Sequence, residues 1–305
     1  MPPALAVFSV ECTPCRGLRR AMDELQVNSV ASAFESPIDL ACSCVVLLFA
    51  AMVAVAFALA AITHARRAVL AAQHRSIALP RVASAMTHWA LDPLVRHLIA
   101  AEVSANTITG CSLLAGIAAG VALAVGHFGV AAALLVAASL GDALDGLVAR
   151  GGHGESPAGA LFDASVDRYE EFFSLGGLAI FFRESGPILA LVLSALMGSF
   201  MVSYGSAKAE ALRVPVPPGA MRRAERATCL CLGTTLVPLV GAILRSSGGP
   251  EWAGYSPLFL ALVLIGGAAN VSAVRRIRVI AAHVSPRKPA NERVTSDGGA
   301  PATAK

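Results

Sequence analysis

Charge is the first scarcity in this 305-residue chain: Asp, Glu, Lys and Arg make up only 14% of it, against about a quarter in an ordinary soluble domain. Together with 56% hydrophobic residues and a mean hydropathy of +0.67, that scarcity excludes a water-soluble globule. It gives an integral membrane protein with several runs near the roughly 20 apolar residues that cross a bilayer. Lysine is scarcer still, with only Lys208, Lys288 and Lys305, so almost all positive charge is arginine. The net charge of +4 is small, its placement matters more than its size, and no nucleic-acid partner is expected. A cysteine framework is also missing. Cys111, Cys229 and Cys231 sit in apolar runs and read as small core residues. Cys12-Thr-Pro-Cys15 has CxxC spacing, with no second pair or thioredoxin-like pattern to support a redox or zinc site. The first strong apolar run begins only near Ile38, which fits a signal peptide poorly. No internal repeat is evident.

What is present is a series of apolar runs. Residues 39–63 form a first span that His64-Ala-Arg66-Arg67 interrupts, and T-H-W-A-L-D-P-L-V-R-H-L-I-A (87–100) reads as an amphipathic helix in the membrane interface. Further spans are expected at about 106–126, 128–150, 159–182, 187–207, 227–245 and 257–274, with Ser104 or Asn106 capping the first of these. Arg213-V-P-V-P-P-Gly219 is a loop, because its prolines cannot continue a helix. If the spans alternate, Arg66, Arg67, Arg150, the Lys208 to Arg226 segment and Arg275 to Arg278 share one side, while the opposite loops carry only Arg183 and Arg245. The positive-inside rule makes the arginine-rich side cytoplasmic, and the extra first span then puts the N-terminus outside. The expected fold is all-α: a polytopic helical bundle of six spans with one extra span in front. Its divisions are a tail at 1–38, the extra span and linker at 39–84, the main membrane domain at 85–283 and a disordered Pro, Gly and polar tail at 284–305.

The most informative stretch runs from Asp142 to Asp167. It places Asp142, Asp145, Asp163 and Asp167 inside two apolar runs, where each unpaired carboxylate costs about 2.5–3.5 kcal/mol at a helix centre. A compensating cation is therefore expected. Asp142, Asp145 and Ala149 share one helical face with Gly146 beside them, and Gly159, Asp163 and Asp167 form an i, i+4, i+8 stripe on the next helix. G-G-H-G-E-S-P-A between them is a turn by composition, so the two helices form a hairpin with acidic faces together. Hard oxygen ligands suit Mg²⁺ or Mn²⁺, and four carboxylates can hold two ions.

This stretch resembles the CDP-alcohol phosphotransferase family, whose signature is D-x2-D-G-x2-A-R-x8-G-x3-D-x3-D. All eight fixed positions are present, as Asp142, Asp145, Gly146, Ala149, Arg150, Gly159, Asp163 and Asp167. At about a tenth per position, such a match arises by chance about once in 10⁸ windows. The family commonly carries P-N-x-x-T before its first core span; Asn106 and Thr109 match it, with Ala105 in place of the proline. The resemblance implies attack of an alcohol on the β-phosphorus of a CDP-alcohol, usually CDP-diacylglycerol, with release of CMP. It implies that the four aspartates are metal ligands and that Asp167 doubles as general base. By the same resemblance Asn106, Thr109, Asp142, Gly146, Ala149, Arg150 and Gly159 bind the CDP-alcohol, among membrane lipids, and the enzyme is a homodimer. In a bacterium it would sit in the cell (inner) membrane.

The acceptor side is less fully matched. S-Y-G-S-A-K-A-E and G-A-M-R-R-A-E-R resemble strings of family members that use inositol phosphate or glycerol phosphate. Together with the basic cluster of Lys208, Arg213, Arg222, Arg223 and Arg226 at the same mouth, they nominate Lys208, Arg213, Arg223 and Arg226 for binding a small, phosphorylated alcohol. Ser206 stands where many members carry a basic residue, and Lys208 replaces an arginine, losing its bidentate fork. Two other classes compete. A cation or proton transporter also uses intramembrane carboxylates, but broken half-helices and repeat symmetry are not visible. A prenyl-transfer enzyme also pairs D-x2-D carboxylates, but the fixed Gly, Ala, Arg and eight-residue gap argue against it.

Overall fold

The computed structural model describes residues 36–72, 79–152, 156–216, 219 and 221–284, with backbone alone over 60–72 and 79–88. Most of the expected N-terminal tail, its Cys12 and Cys15, and the C-terminal tail beyond Val284 lie outside the described residues. Eight α-helices and one short 3₁₀ turn are described, and no strand is found among these residues. In chain order the helices are α1 (Pro37–Ala72), α2 (Leu79–Ala100), α3 (Ala105–Ala124), α4 (Phe128–Gly151), α5 (Pro157–Phe181), α6 (Gly186–Ala211), α7 (Arg223–Ser246) and α8 (Ser256–Val284). The 3₁₀ turn is Glu251–Tyr255.

Local chemistry starts these helices where the sequence suggests. Ser104 is the N-cap of α3, its side chain accepting from the Thr107 N–H, so the cap is Ser104 and Asn106 lies inside the helix. Ser156 caps α5 by accepting from the Gly159 N–H at 3.0 Å, with Pro157 at the first helical position. The Glu225 carboxylate accepts from the Arg222 N–H at 3.0 Å and starts α7. Two ends differ from expectation. The helix of the first span continues past His64 and Arg67 to Ala72, and α8 continues past Arg278 to Val284. Arginine ends an apolar run without ending a helix, since its helix propensity is close to that of leucine.

Six helices are long and apolar enough to cross a membrane: α1, α3, α4, α6, α7, and the stretch holding the 3₁₀ turn and α8. Helix α5, with its acidic stripe, packs beside α3 and α6 and completes seven. Helix α2 carries the Asp92–Arg96 ion pair (2.5 Å) and an exposed Trp89, while Leu91 and Val95 turn inward.

Helix α3 lies against both α4 and α5, and the two arms of the expected acidic hairpin make almost no backbone contact with each other. Small residues allow α3 this position. A Cβ on Gly120 would fall 2.5 Å from the Phe173 carbonyl oxygen, and one on Gly177 would fall 2.1 Å from the Gly120 carbonyl oxygen. On the other flank, a Cβ on Gly141 would come within 2.9 Å of Ser112 Cβ. The wedge holds α4 and α5 apart, leaving a cleft that the aspartates fill. The opposite end of the bundle is closed by Phe128, Phe181, Phe182 and Tyr255, with Phe128 and Phe181 edge-to-face at 5.0 Å.

Candidate active site

Three of the four aspartates converge across the cleft: carboxylate oxygens of Asp142, Asp145 and Asp163 lie within 4.8 Å of one another. Asp145 is buried, and Thr109 Oγ1 sits 2.5 Å from its Oδ2 and 3.0 Å from the Ala105 carbonyl oxygen. This hydroxyl fixes Asp145 from the neighbouring helix. The arrangement suits a hard divalent cation: three acidic oxygens converge, and Asp163 Oδ1 is buried with no hydrogen-bond partner among the described residues.

The fourth aspartate, Asp167, faces Arg223. Arg223 Nη2 lies 2.8 Å from Asp167 Oδ1 and 2.8 Å from Glu170 Oε2, while Nη1 contacts Asp142 Oδ1. The next arginine on that face, Arg226, is 3% exposed and pairs with Glu171 at 2.5 Å while donating to the Met221 carbonyl at 2.7 Å. Two arginines expected to serve the acceptor thus hold carboxylates of α4 and α5.

The other nominated residues divide by position. Asn106 Oδ1 stands 3.5 Å from where a Cβ on Gly159 would be, so Asn106 closes over that glycine at the cleft mouth. The Arg150 guanidinium folds over Gly146, 3.3 Å from its missing Cβ. Gly146 and Ala149 are half-buried on the aspartate-bearing stretch of α4. Lys208 and Arg213 are exposed and do not line the cavity described next. Arg213 has φ +53°, the left-handed region, as it ends α6.

Beside Asp167 opens a cavity of about 200 Å³ lined by Arg168, Arg222, Arg223, Arg226, Arg276, Glu171 and Ser206. Arg276 comes from α8, lies across Gly205 and Gly219, and hydrogen-bonds Ser206 Oγ. Position 206, where the sequence lacks a basic side chain, therefore has a guanidinium brought to it from 70 residues away. Sequence reading missed Arg168, Glu170 and Arg276 as site residues. Glu170 was findable, since it extends the 159, 163, 167 stripe by i+3. Nothing local marks Arg276.

A membrane-embedded acidic cleft facing an arginine-lined cavity defines a class: enzymes that handle polyanionic phosphate substrates at a lipid surface. The CDP-alcohol phosphatidyltransferase family profile matches residues 102–265, more than half of the chain, and the protein belongs to that family. It is thereby a phosphatidyltransferase enzyme and an integral membrane protein, and the transporter alternative has no support. The chain is 28% identical over 193 residues to a phosphatidylinositol phosphate synthase of Mycobacteroides abscessus, covering 62% of this chain and 82% of that one. It is 34% identical over 146 residues to an archaetidylinositol phosphate synthase of Methanothermobacter thermautotrophicus, covering 47% and 71%. Among solved structures, the fold is similar to phosphatidylinositol phosphate synthase of Mycobacterium tuberculosis crystallised with manganese and citrate. That match has a TM-score of 0.54 at 23% identity and covers 62% of this chain and 87% of that one. The same protein with CDP-DAG bound gives a TM-score of 0.53.

Proposed function

We propose that this enzyme transfers the phosphatidyl group of CDP-diacylglycerol to a small phosphorylated alcohol, of the inositol phosphate or glycerol phosphate kind, and releases CMP. The observation that carries the reading is the cavity beside Asp167. Five arginines line it against two acidic residues, Asp167 and Glu171. Arg223 and Arg226 are already paired with carboxylates, but no close ion pair is found for Arg168, Arg222 or Arg276 among the described residues, Arg168 acting on Asp163 only at longer range. A group of arginines without close carboxylate partners favours a dianionic phosphate. A volume near 200 Å³ suits a small polar acceptor. Relatives named for inositol phosphate products support the same choice.

Asp142, Asp145, Asp163 and Asp167 are the residues that would hold two Mg²⁺ or Mn²⁺ ions. When bound, such ions supply charge neutralisation for the pyrophosphate and for the departing CMP. The protein's own part begins at Asp167, which borders both the cleft and the cavity. Its carboxylate accepts the proton of the acceptor hydroxyl, whose oxygen forms the new bond to the β-phosphorus as the bond to the CMP oxygen breaks. Asn106, Gly146, Arg150 and Gly159 frame the mouth where the nucleotide enters, and Arg276 and Arg222 orient the acceptor phosphate. The arginines at this end, set against Arg183 and Arg245 at the other, support a cytoplasmic site by the positive-inside rule. Assembly as a homodimer is part of the reading on family resemblance alone.

The test is CMP release from membranes given CDP-diacylglycerol, Mg²⁺ and a panel of free and phosphorylated alcohols. Release is expected with a phosphorylated acceptor and not with its free counterpart. Arg276→Gln should raise the acceptor KM more than it lowers kcat, as loss of a uniform binding contact does. Equal rates with free and phosphorylated acceptors would refute the acceptor reading. A cysteine placed at Ala158, in a background lacking native cysteines, should resist an impermeant thiol reagent in intact cells; ready labelling would reverse the orientation.

A further inference from the structure

We propose that Arg223 is an internal counter-cation of the metal site: it exchanges with a divalent ion on Asp142 and Asp167, and Glu170 holds it once displaced. The inference rests on the reading of the aspartates as metal ligands, and it concerns Arg223 and Glu170, two residues that the family signature does not include.

The four aspartates are not equivalent. Asp145 and Asp163 make no close ion pair with an arginine among the described residues, and Arg223 and Arg168 act on Asp163 only at longer range: Thr109 fixes Asp145, and Asp163 Oδ1 has no hydrogen-bond partner. Asp142 and Asp167, by contrast, each present an oxygen to Arg223. A guanidinium fork and a hard cation compete for the same carboxylate oxygens, and like charges a few ångströms apart repel. A cation seated on Asp142 and Asp167 therefore requires Arg223 to withdraw.

Glu170 provides the place for that withdrawal. Arg223 Nη2 already stands 2.8 Å from Glu170 Oε2, the same distance as from Asp167 Oδ1. In the proposed exchange the guanidinium turns from Asp142 and Asp167 toward Glu170. Glu170 is the fixed member of the pair. It is 8% exposed, and its Cγ lies 2.9 Å from where a Cβ on Gly116 would stand, so α3 closes directly over it. Its second oxygen is buried and makes no close hydrogen bond among the described residues, with only the Ser112 hydroxyl beside the carboxylate, which leaves acceptor capacity for a fuller engagement by Arg223. Charge balance agrees. Five carboxylates in one low-dielectric cleft are matched by two divalent ions together with one guanidinium, and a buried cluster left far from neutrality is costly. Arg223 also lines the acceptor cavity, so its withdrawal ties metal loading to the shape of the acceptor site.

The test is Mn²⁺ binding to the full-length, chelator-stripped protein in nanodiscs without substrates, read by electron paramagnetic resonance of free Mn²⁺. Arg223→Gln should bind Mn²⁺ roughly tenfold more tightly than wild type, and Arg223→Lys, which keeps the charge, should stay near wild type. Glu170→Gln should bind severalfold more weakly, because Arg223 then has only the ligand carboxylates to hold. The double variant Glu170→Gln with Arg223→Gln should match Arg223→Gln alone. A double variant falling midway would show that Glu170 acts by its own charge and would overturn its role as holder. Unchanged or weaker binding in Arg223→Gln would overturn the exchange. Absence of Mn²⁺ binding in every protein, with each variant monodisperse, would remove the metal reading and the inference together.

Discussion

Asp39, fully buried near the start of α1, meets His127 at the far end of the bundle, with 2.9 Å between Oδ2 and Nδ1. Its other oxygen accepts from the Val130 N–H at 3.0 Å, so a carboxylate from α1 caps the exposed amides that open α4. Gly129 makes this approach possible, since a Cβ there would sit 1.9 Å from the Asp39 carbonyl oxygen. Helix α1 precedes the part of the chain that the family profile covers, and most of its apolar surface faces outward, including Leu48, Met52 and Val55. Asp39 is thus the polar anchor of an otherwise weakly packed helix.

Asp39→Ala should therefore cost about 1–3 kcal/mol, the penalty of leaving buried donors unpaired. The thermal midpoint in detergent should fall while turnover per folded molecule holds. Asp39→Asn keeps an acceptor for Val130 and should lose less. A midpoint unchanged in Asp39→Ala would mean apolar contacts alone hold α1.

Neighbouring glycines on α5 should behave oppositely. Nothing lies within 4 Å of a Cβ built on Gly176, whereas Gly177 faces the Gly120 carbonyl. Gly176→Ala should be neutral or stabilise the helix by about 0.5–1 kcal/mol. Gly177→Ala must push α3 from α5, so its midpoint should fall sharply and activity should go with it. Equal midpoints for the two variants would contradict the close crossing of these helices.

Thr109 should matter through its hydroxyl. Thr109→Val keeps the shape but frees Asp145 from its 2.5 Å contact, so Mn²⁺ affinity and kcat should both drop. Thr109→Ser should retain most of each. If Thr109→Val binds Mn²⁺ as wild type does, Asp145 is positioned by other means.

Asp163 and Asp167 should separate by role. Asp163→Asn should abolish turnover, because a neutral amide is a poorer ligand in a site that needs its charge. Asp167→Asn should lower kcat by roughly 10²- to 10⁴-fold, the usual range for a general base, while CDP-diacylglycerol binding changes little. Comparable loss of donor binding in both variants would make Asp167 a ligand and nothing more.

The sequence by itself determined the helices and the placing of the aspartates along two of them. Apolar run length, the caps at Ser104 and Ser156, and the i, i+4 spacing of the aspartates are local properties, readable without knowing what packs on what. Glu170 belonged to the same local pattern and was legible there too. Only the tertiary structure decided what meets across helices. It set α3 between the two acidic arms, because Gly120 and Gly177 let backbones touch, which no single helix reveals. It gave Arg223 and Arg226 to the carboxylates of α4 and α5. It carried Arg276 to Ser206, a pairing that depends on how α6 and α8 cross. Charged side chains in a low-dielectric interior take whichever opposite charge the packing places within reach, and that is fixed by the bundle as a whole.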